Sequence, residues 1–241
     1  MVSKNQHKLI TSLAQKKYRV KHQLFVAEGV KLVNDLLLAD FEAQSLFCIE
    51  THYSAIKKYN PEIISEKELA TISNLKTPNK VLGVFKIPKP QKIISRGLIV
   101  ALDDINDPGN LGTIIRLCDW FGTSHLVCSM NTVDCYNPKV VQATMGSLAR
   151  LPITYLNLEE FLKESTLPIY GAVMDGENIY KTSLHNNAIL IMGNEANGIS
   201  KYIEVLINKR ITIPKNNKNA DIDSLNVAMA TAIILHEFRR E

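Results

Sequence analysis

The sequence predicts an α/β protein in two parts, a C-terminal domain on a parallel sheet preceded by a smaller mixed α/β domain. Three observations carry that prediction. From Leu98 onward, short apolar runs take turns with helical stretches, the pattern of a parallel sheet covered on both faces. Charge changes sign along the chain: residues 1–96 hold 16 Lys and Arg against 8 Asp and Glu, and residues 97–241 hold 12 against 16. Between the two lies Ile87–Gly97, IPKPQKIISRG, whose two prolines and three basic residues read as a linker and set the domains at 1–95 and 96–241.

The front half opens with a lysine-studded segment, Lys8–Lys21. LFVAEG (Leu24–Gly29) reads as a strand. Gly29–Asp40 follows as a helix, because Val30, Leu32, Val33, Leu36 and Leu37 recur at helical spacing. The runs SLFCIE and VLGVFKIP add short alternations, which makes this domain mixed α/β. In the rear half the predicted strands are Leu98–Leu102, Ser124–Ser129, Pro168–Met174, Ala188–Met192 and Arg210–Ile213. The predicted helices are Thr113–Phe121, Pro138–Leu148, Leu158–Lys163, Ser200–Ile207 and Leu225–Arg239. Ligands of such sheets bind beyond the carboxyl ends of the strands.

Composition narrows the function classes. With 241 residues at 46% hydrophobic, the chain can bury one large core or two modest ones. The longest apolar run, Val227–Leu235, is about half the roughly 18 residues that a membrane helix needs. No apolar segment or small-residue cleavage site follows the N-terminus, so a cytoplasmic location is expected. Cys48, Cys118, Cys128 and Cys135 form no CxxC pair and have no His cluster beside them; they read as buried or half-buried thiols, and no metal is expected. The basic front half suits a polyanion such as nucleic acid, and a solvated lysine-rich surface accounts for it equally well.

Three segments carry candidate chemistry. In residues 101–122, ALDDINDPGNLGTIIRLCDWFG, a strand runs into a Pro- and Gly-marked loop and then a helix that stops at Gly122. The loop is neither a P-loop nor GxGxxG, which weakens nucleoside-triphosphate and dinucleotide readings. Asn110 is placed just before the helix. Arg116, inside an otherwise apolar helix, must reach a surface or an anion, because burying it unpaired is costly. In residues 189–200, ILIMGNEANGIS, a strand ends abruptly in Gly193, Asn194 and Glu195. Glycine there lets a ligand approach the backbone, and an ordinary strand-to-helix turn would use the same residues. In residues 210–238 a strand ends at Ile213-Pro214, a polar loop follows, and Ser224 is expected to cap a helix with no charge before Glu237. A helix apolar on all faces must be buried on all faces, in the fold or at a subunit interface. Asn226 is either a helper of that cap or a site residue.

Together these segments read N-x-G-x-x-x-R (Asn110, Gly112, Arg116), M-G-N-E-x-x-G-I (Met192–Ile199) and I-P…S-L-N-V-A-x-A (Ile213 to Ala230). In that order they resemble the signature motifs of SpoU/TrmH-type RNA 2′-O-ribose methyltransferases of the SPOUT superfamily, over most of residues 98–241. The stretches Lys16–Val33 and Leu75–Phe85 look like the ribosomal-protein-like substrate-binding domain often fused ahead of that catalytic domain. The resemblance implies a trefoil knot formed by the last strand and helix, with S-adenosylmethionine bent into the knotted loops. It also implies a homodimer whose active sites lie at the interface. Carried over by motif, the catalytic set is Asn110, Arg116, Glu195, Ser224 and Asn226; the cofactor contacts are Val173, Met174, Gly193, Ile213 and Leu225. One departure is the loop Lys215–Asp223, longer and more polar than the family pattern and without its glycine. The resulting expectation is an S-adenosylmethionine-dependent methyltransferase acting on ribosomal RNA; transfer RNA, or a ribosome-assembly RNA binder without catalysis, are the alternatives.

Overall fold

The computed structural model describes residues 1–217 and 224–240, so most of the Lys215–Asp223 loop, residues 218–223, lies outside the described residues. The chain forms two compact units. One comprises residues 1–89 together with 134–150, the other 90–133 together with the residues from 151 onward.

In the first unit the lysine-studded segment is two helices, α1 (Lys4–Ser12) and α2 (Lys16–His22). Helix α1 starts where Ser3 and Gln6 satisfy each other's backbone N–H groups in a capping box. Strand β1 (Leu24–Glu28) is buried throughout, and α3 (Val30–Leu38) buries Leu32, Val33, Leu36 and Leu37, the stripe that its periodicity predicts. Then come β2 (Ala43–Cys48), α4 (Tyr53–Ile56), β3 (Glu62–Ile63), α5 (Glu66–Ile72) and β4 (Val81–Lys86). The sheet order is β1-β4-β2-β3, with β4 antiparallel to both neighbours and β2 parallel to β3.

One basic residue of this unit does not face solvent. Arg19 is 2% exposed. Its Nη2 pairs with Asp134 Oδ2 at 2.7 Å, and its Nη1 donates to the carbonyls of Leu13 and Ala14 at 2.8 and 2.9 Å. A buried charge persists only with such partners, and Asp134 belongs to the second stretch of this unit. Tyr136, from the same stretch, packs its ring 4.8 Å from that of Phe25 on β1.

The second unit holds a six-stranded sheet in the order β10-β8-β9-β5-β6-β7, every neighbouring pair parallel. Its elements are β5 (Leu98–Leu102), α6 (Pro108–Trp120), β6 (His125–Ser129), β7 (Ile153–Leu156), α8 (Leu158–Glu164), β8 (Ile169–Asn178), β9 (Ala188–Met192), α9 (Lys201–Glu204), β10 (Lys209–Thr212) and α10 (Val227–Arg239). Between β6 and β7 the chain contributes α7 (Pro138–Ala143) to the first unit. Strands β5, β6 and β9 are wholly buried, as unbroken apolar runs in a parallel sheet should be.

Several boundaries differ from the sequence expectation. Strand β7 escapes notice because it is a half-buried edge strand of four residues. The Pro138–Leu148 helix ends at Ala143, since Met145 and Gly146 adopt φ of 51° and 97°, outside the right-handed helical region. The Ser200–Ile207 helix shortens to the single turn of α9, and β8 runs on past Met174 to Asn178. The four cysteines are buried and form no disulfide among the described residues.

From β5 the chain builds β6 and β7 on one side, then returns to build β8, β9 and β10 on the other, with β9 next to β5. The switch of direction falls between β5 and β9, where an open parallel sheet leaves a crevice at its carboxyl edge.

Candidate active site

The loops that leave β5 and β9 emerge side by side, joined by Asp103 N donating to Met192 O at 2.9 Å. After β5, Asp107 caps α6 by accepting from Asn110 N at 2.8 Å, and Pro108 supplies the preset φ of the first helical position. Asn110 therefore lies in the first turn of the helix and not before it. That leaves its side chain free at the helix start. Its Nδ2 donates to Glu195 Oε1 at 2.9 Å, and its Oδ1 accepts from Asn226 Nδ2 at 2.9 Å. Two more donors, the backbone N–H groups of Asn106 and Asp107, approach Glu195 at 3.4 Å.

Asn226 caps a helix and reaches Asn110 at once. Its Oδ1 accepts from Ala228 N and Met229 N at 2.9 and 3.3 Å, so it is the cap of α10, which begins at Val227. Ser224 is not the cap. It is exposed and lines the cavity described below. One linear run of hydrogen bonds, Asn226 to Asn110 to Glu195, thus joins all three sequence segments.

Helices α6 and α10 are also tied at their far ends. Arg239 Nε donates to Phe121 O and its Nη2 to Gly122 O, both at 2.8 Å, which satisfies carbonyls at the end of α6. The two helices therefore run parallel, in fixed register. The outer face of α10 is not covered: Met229 is 60% exposed, and Ala230, Ala232 and Ile233 are half-buried. The expectation of burial on all faces fails within one chain. Arg116 is exposed and makes no hydrogen bond or ion pair among the described residues. It stands about 9 Å beyond Asn110 along α6, at roughly 1.5 Å per residue, so the structure does not bring it into the Asn226–Asn110–Glu195 run. Burial pushes the neighbouring Cys118 thiol up to about 12, which makes it inert as a nucleophile.

Beside this network lies a cavity of about 790 Å³. Val173, Met174, Gly193, Ile213 and Leu225 all line it, as do Glu195 and Ser224. Asn110, Arg116 and Asn226 do not, so Glu195 is the group shared by cavity and network. The glycine at position 193 is required by the loop itself. A Cβ there would stand 2.3 Å from backbone atoms of Gly198 and Ile199, because Asn194 and Gly198 pair across the turn at 2.9 and 3.0 Å.

Sequence reasoning missed the residues that hold this loop. Asn194 Nδ2 donates to Asp104 O at 2.7 Å, while its Oδ1 accepts from Ala196 N and Asn197 N. Asp103, 2% exposed, accepts from both Ser200 N and Ser200 Oγ at 2.7 Å. The available signal was the pair Asp103-Asp104 directly after an apolar strand, where a buried carboxylate needs fixed donors. Arg210 was read only as part of a strand. It lines the cavity and forms ion pairs with Asp175 and Glu204.

Comparison with known proteins agrees with this architecture. Residues 97–236 match the SpoU rRNA methylase family model, and residues 4–83 match an MRM3-like substrate-binding domain. The chain is 29% identical to the 23S rRNA (guanosine(2553)-2′-O)-methyltransferase RlmP of Bacillus subtilis, over 94% of this chain and 93% of that one. Among solved structures, a TrmH-family protein from Porphyromonas gingivalis superposes with a TM-score of 0.92 at 38% identity, covering all of both chains. An AdoMet-bound rRNA methyltransferase from Sinorhizobium meliloti superposes with a TM-score of 0.87 at 31% identity, covering all of this chain and 97% of that one.

Proposed function

Because the chain belongs to the SpoU rRNA methylase family, we propose that it transfers a methyl group from S-adenosylmethionine to a ribose 2′-oxygen of ribosomal RNA. The observation that carries this reading is the convergence of three segments, up to 116 residues apart, on one hydrogen-bonded run that shares Glu195 with a cavity. The cavity fits the cofactor by its chemistry. Val173, Ile213, Leu225 and Val227 offer apolar surface, and the closely folded Gly193–Gly198 backbone offers polar groups at the end of β9. Val173, Met174, Gly193, Ile213 and Leu225 would hold the cofactor. When bound, it supplies an electrophilic methyl group on sulfur.

The protein must then position a poor nucleophile and stabilise the charge that forms on it. Arg116 is the exposed cation on α6. Its planar fork of N–H donors suits a backbone phosphate or a forming alkoxide. Asn110, held from both sides by Glu195 and Asn226, keeps the start of the helix that carries Arg116 fixed. Ser224, exposed at the cavity, is placed to meet substrate. Arg116→Lys keeps the charge and removes the fork; a fall in kcat of about 100-fold or more is expected. Near-full activity in that variant would end the bidentate role.

Residues 1–95 are assigned to RNA binding and 96–241 to catalysis. Homodimerisation is part of the proposal. It is supported by the uncovered apolar side of α10 and by Trp120, 85% exposed at the end of α6. A trefoil knot at the last crossing and a cytoplasmic location complete the reading; among the described residues no helix is long and apolar enough to cross a membrane. The test is to map ribose methylation in ribosomal and transfer RNA from cells with and without the gene. Loss of one ribosomal 2′-O-methyl site is expected, and an unchanged map would refute the assignment.

A further inference from the structure

The cavity has walls of unequal security. The Gly193–Ile199 loop is held by Asn194 and by the Asp103–Ser200 contacts. The Ile211–Ile213 wall is an extension of a paired strand. The wall formed by residues 172–175 has no strand pairing of its own. Strand β8 pairs with β9 only through Ile169, Tyr170 and Gly171. Against β10 it pairs Gly171 with Arg210 and then Glu177 with Ile211. Residues 172–176 therefore loop out opposite a single peptide step of the partner strand, and Ala172, Val173, Met174 and Asp175 of that loop face the cavity.

Three contacts seat the loop. Thr212 Oγ1 donates to Met174 O at 3.2 Å. Gly176 lies so close to β10 that a Cβ would meet the backbone of Ile211 at 2.6 Å. Arg210 reaches Asp175 with one arm of its guanidinium and Glu204, at the end of α9, with the other. The Arg210 side chain thus joins three elements around the cavity, β8, β10 and α9.

We propose that Arg210 is the positioning residue that holds the 172–175 wall in its binding shape, by fixing Asp175 against Glu204 across the mouth of the cavity. The inference rests on the reading of this cavity as the S-adenosylmethionine site. The direction in which Arg210 moves its partner agrees: its hydrogen bond holds the Asp175 carboxyl below the usual carboxylate range. Asp175 is 76% exposed and Arg210 38%, and exposed pairs add little to global stability. What the pair spares is the ordering of a loop when ligand arrives, a cost that appears in affinity.

The measurement is calorimetric titration of the full chain with S-adenosylmethionine, beside thermal melts. Arg210→Gln and Asp175→Asn should each weaken binding about tenfold, with melting temperatures within about 2 °C of the parent. Glu204→Gln, which leaves the Asp175 contact in place, should cost about twofold, and Arg210→Lys should recover part of the loss through one retained pair. Parental affinity in Arg210→Gln overturns the proposal, and so does an affinity loss matched by a fall in melting temperature. Should Arg210→Gln not fold, Asp175→Asn decides on the same criteria. If the unmutated chain gives no heat with S-adenosylmethionine, the cofactor reading itself falls and takes this inference with it; heat in the parent with unchanged variants defeats the latch alone.

Discussion

Asn226 performs two tasks with two atoms, and a pair of substitutions separates them. Its Oδ1 caps α10 through Ala228 N and Met229 N, while its Nδ2 donates to Asn110. Asn226→Ala removes both. Losing the cap costs about 1 kcal/mol and losing the hydrogen bond about 1 more, together roughly 4–8 °C in melting temperature. No buried-group penalty is added, because Asn110 Oδ1 is half-exposed and turns to water. Asn226→Asp keeps an acceptor at the helix start, where a negative charge also suits the helix dipole, so the cap's share should return and stability should lie within about 1 kcal/mol of the parent. The carboxylate cannot donate to Asn110, however, and it faces Asn110 Oδ1 as a second acceptor. Asn110 must then turn and lose either this contact or Glu195. Methyl transfer in a tritium-incorporation assay should fall about tenfold or more in both variants, since the start of α6 is no longer fixed. Full activity in a stable Asn226→Asp protein would refute the positioning role, and an unchanged melt in Asn226→Ala would refute the cap.

Gly193→Ala should abolish S-adenosylmethionine binding in a titration, because its Cβ meets rigid backbone at 2.3 Å and the loop has no flexible side chain to displace; parental affinity would contradict the loop geometry. Asp134→Ala leaves Arg19 buried without its partner and should cost about 3–5 kcal/mol in urea unfolding, and adding Arg19→Met should recover much of it. A loss below about 1 kcal/mol would show that the pair is not desolvated. Burial holds His125 below its ordinary value of 6.5, with Thr154 Oγ1 2.9 Å from its Nε2. The unfolded chain therefore binds a proton that the folded one refuses. The stability contribution is present above the unfolded pKa and drains as pH falls through about 6.5 toward the lower folded value. Melting temperatures from pH 7.5 to 5.5 should fall less steeply in His125→Gln, and identical slopes would exclude His125 as the source.

Much of the fold is legible from local pattern. The buried strands β5, β6 and β9 are unbroken apolar runs, and α3 shows its stripe at Leu32, Val33, Leu36 and Leu37. Where burial is partial, as on β7, the pattern fades and the element is missed. Helix boundaries depend on single cap contacts. Asp107 rather than a later residue starts α6, and Asn226 rather than Ser224 starts α10, because competing polar residues stand within two or three positions of each other and only geometry chooses.

The sequence by itself determined the alternation of strand and helix, the basic front half, and three polar segments at the ends of apolar runs. Tertiary structure alone decided that Arg19 is interior, that residues 134–150 complete the first unit, and that Asn226, Asn110 and Glu195 form one run. The reason is physical. Periodicity reports which face of an element avoids water, a property of a few neighbouring residues. The order β9-β5 in the sheet and the parallel register of α6 and α10 are set by packing between segments far apart in the chain, and no local pattern encodes them.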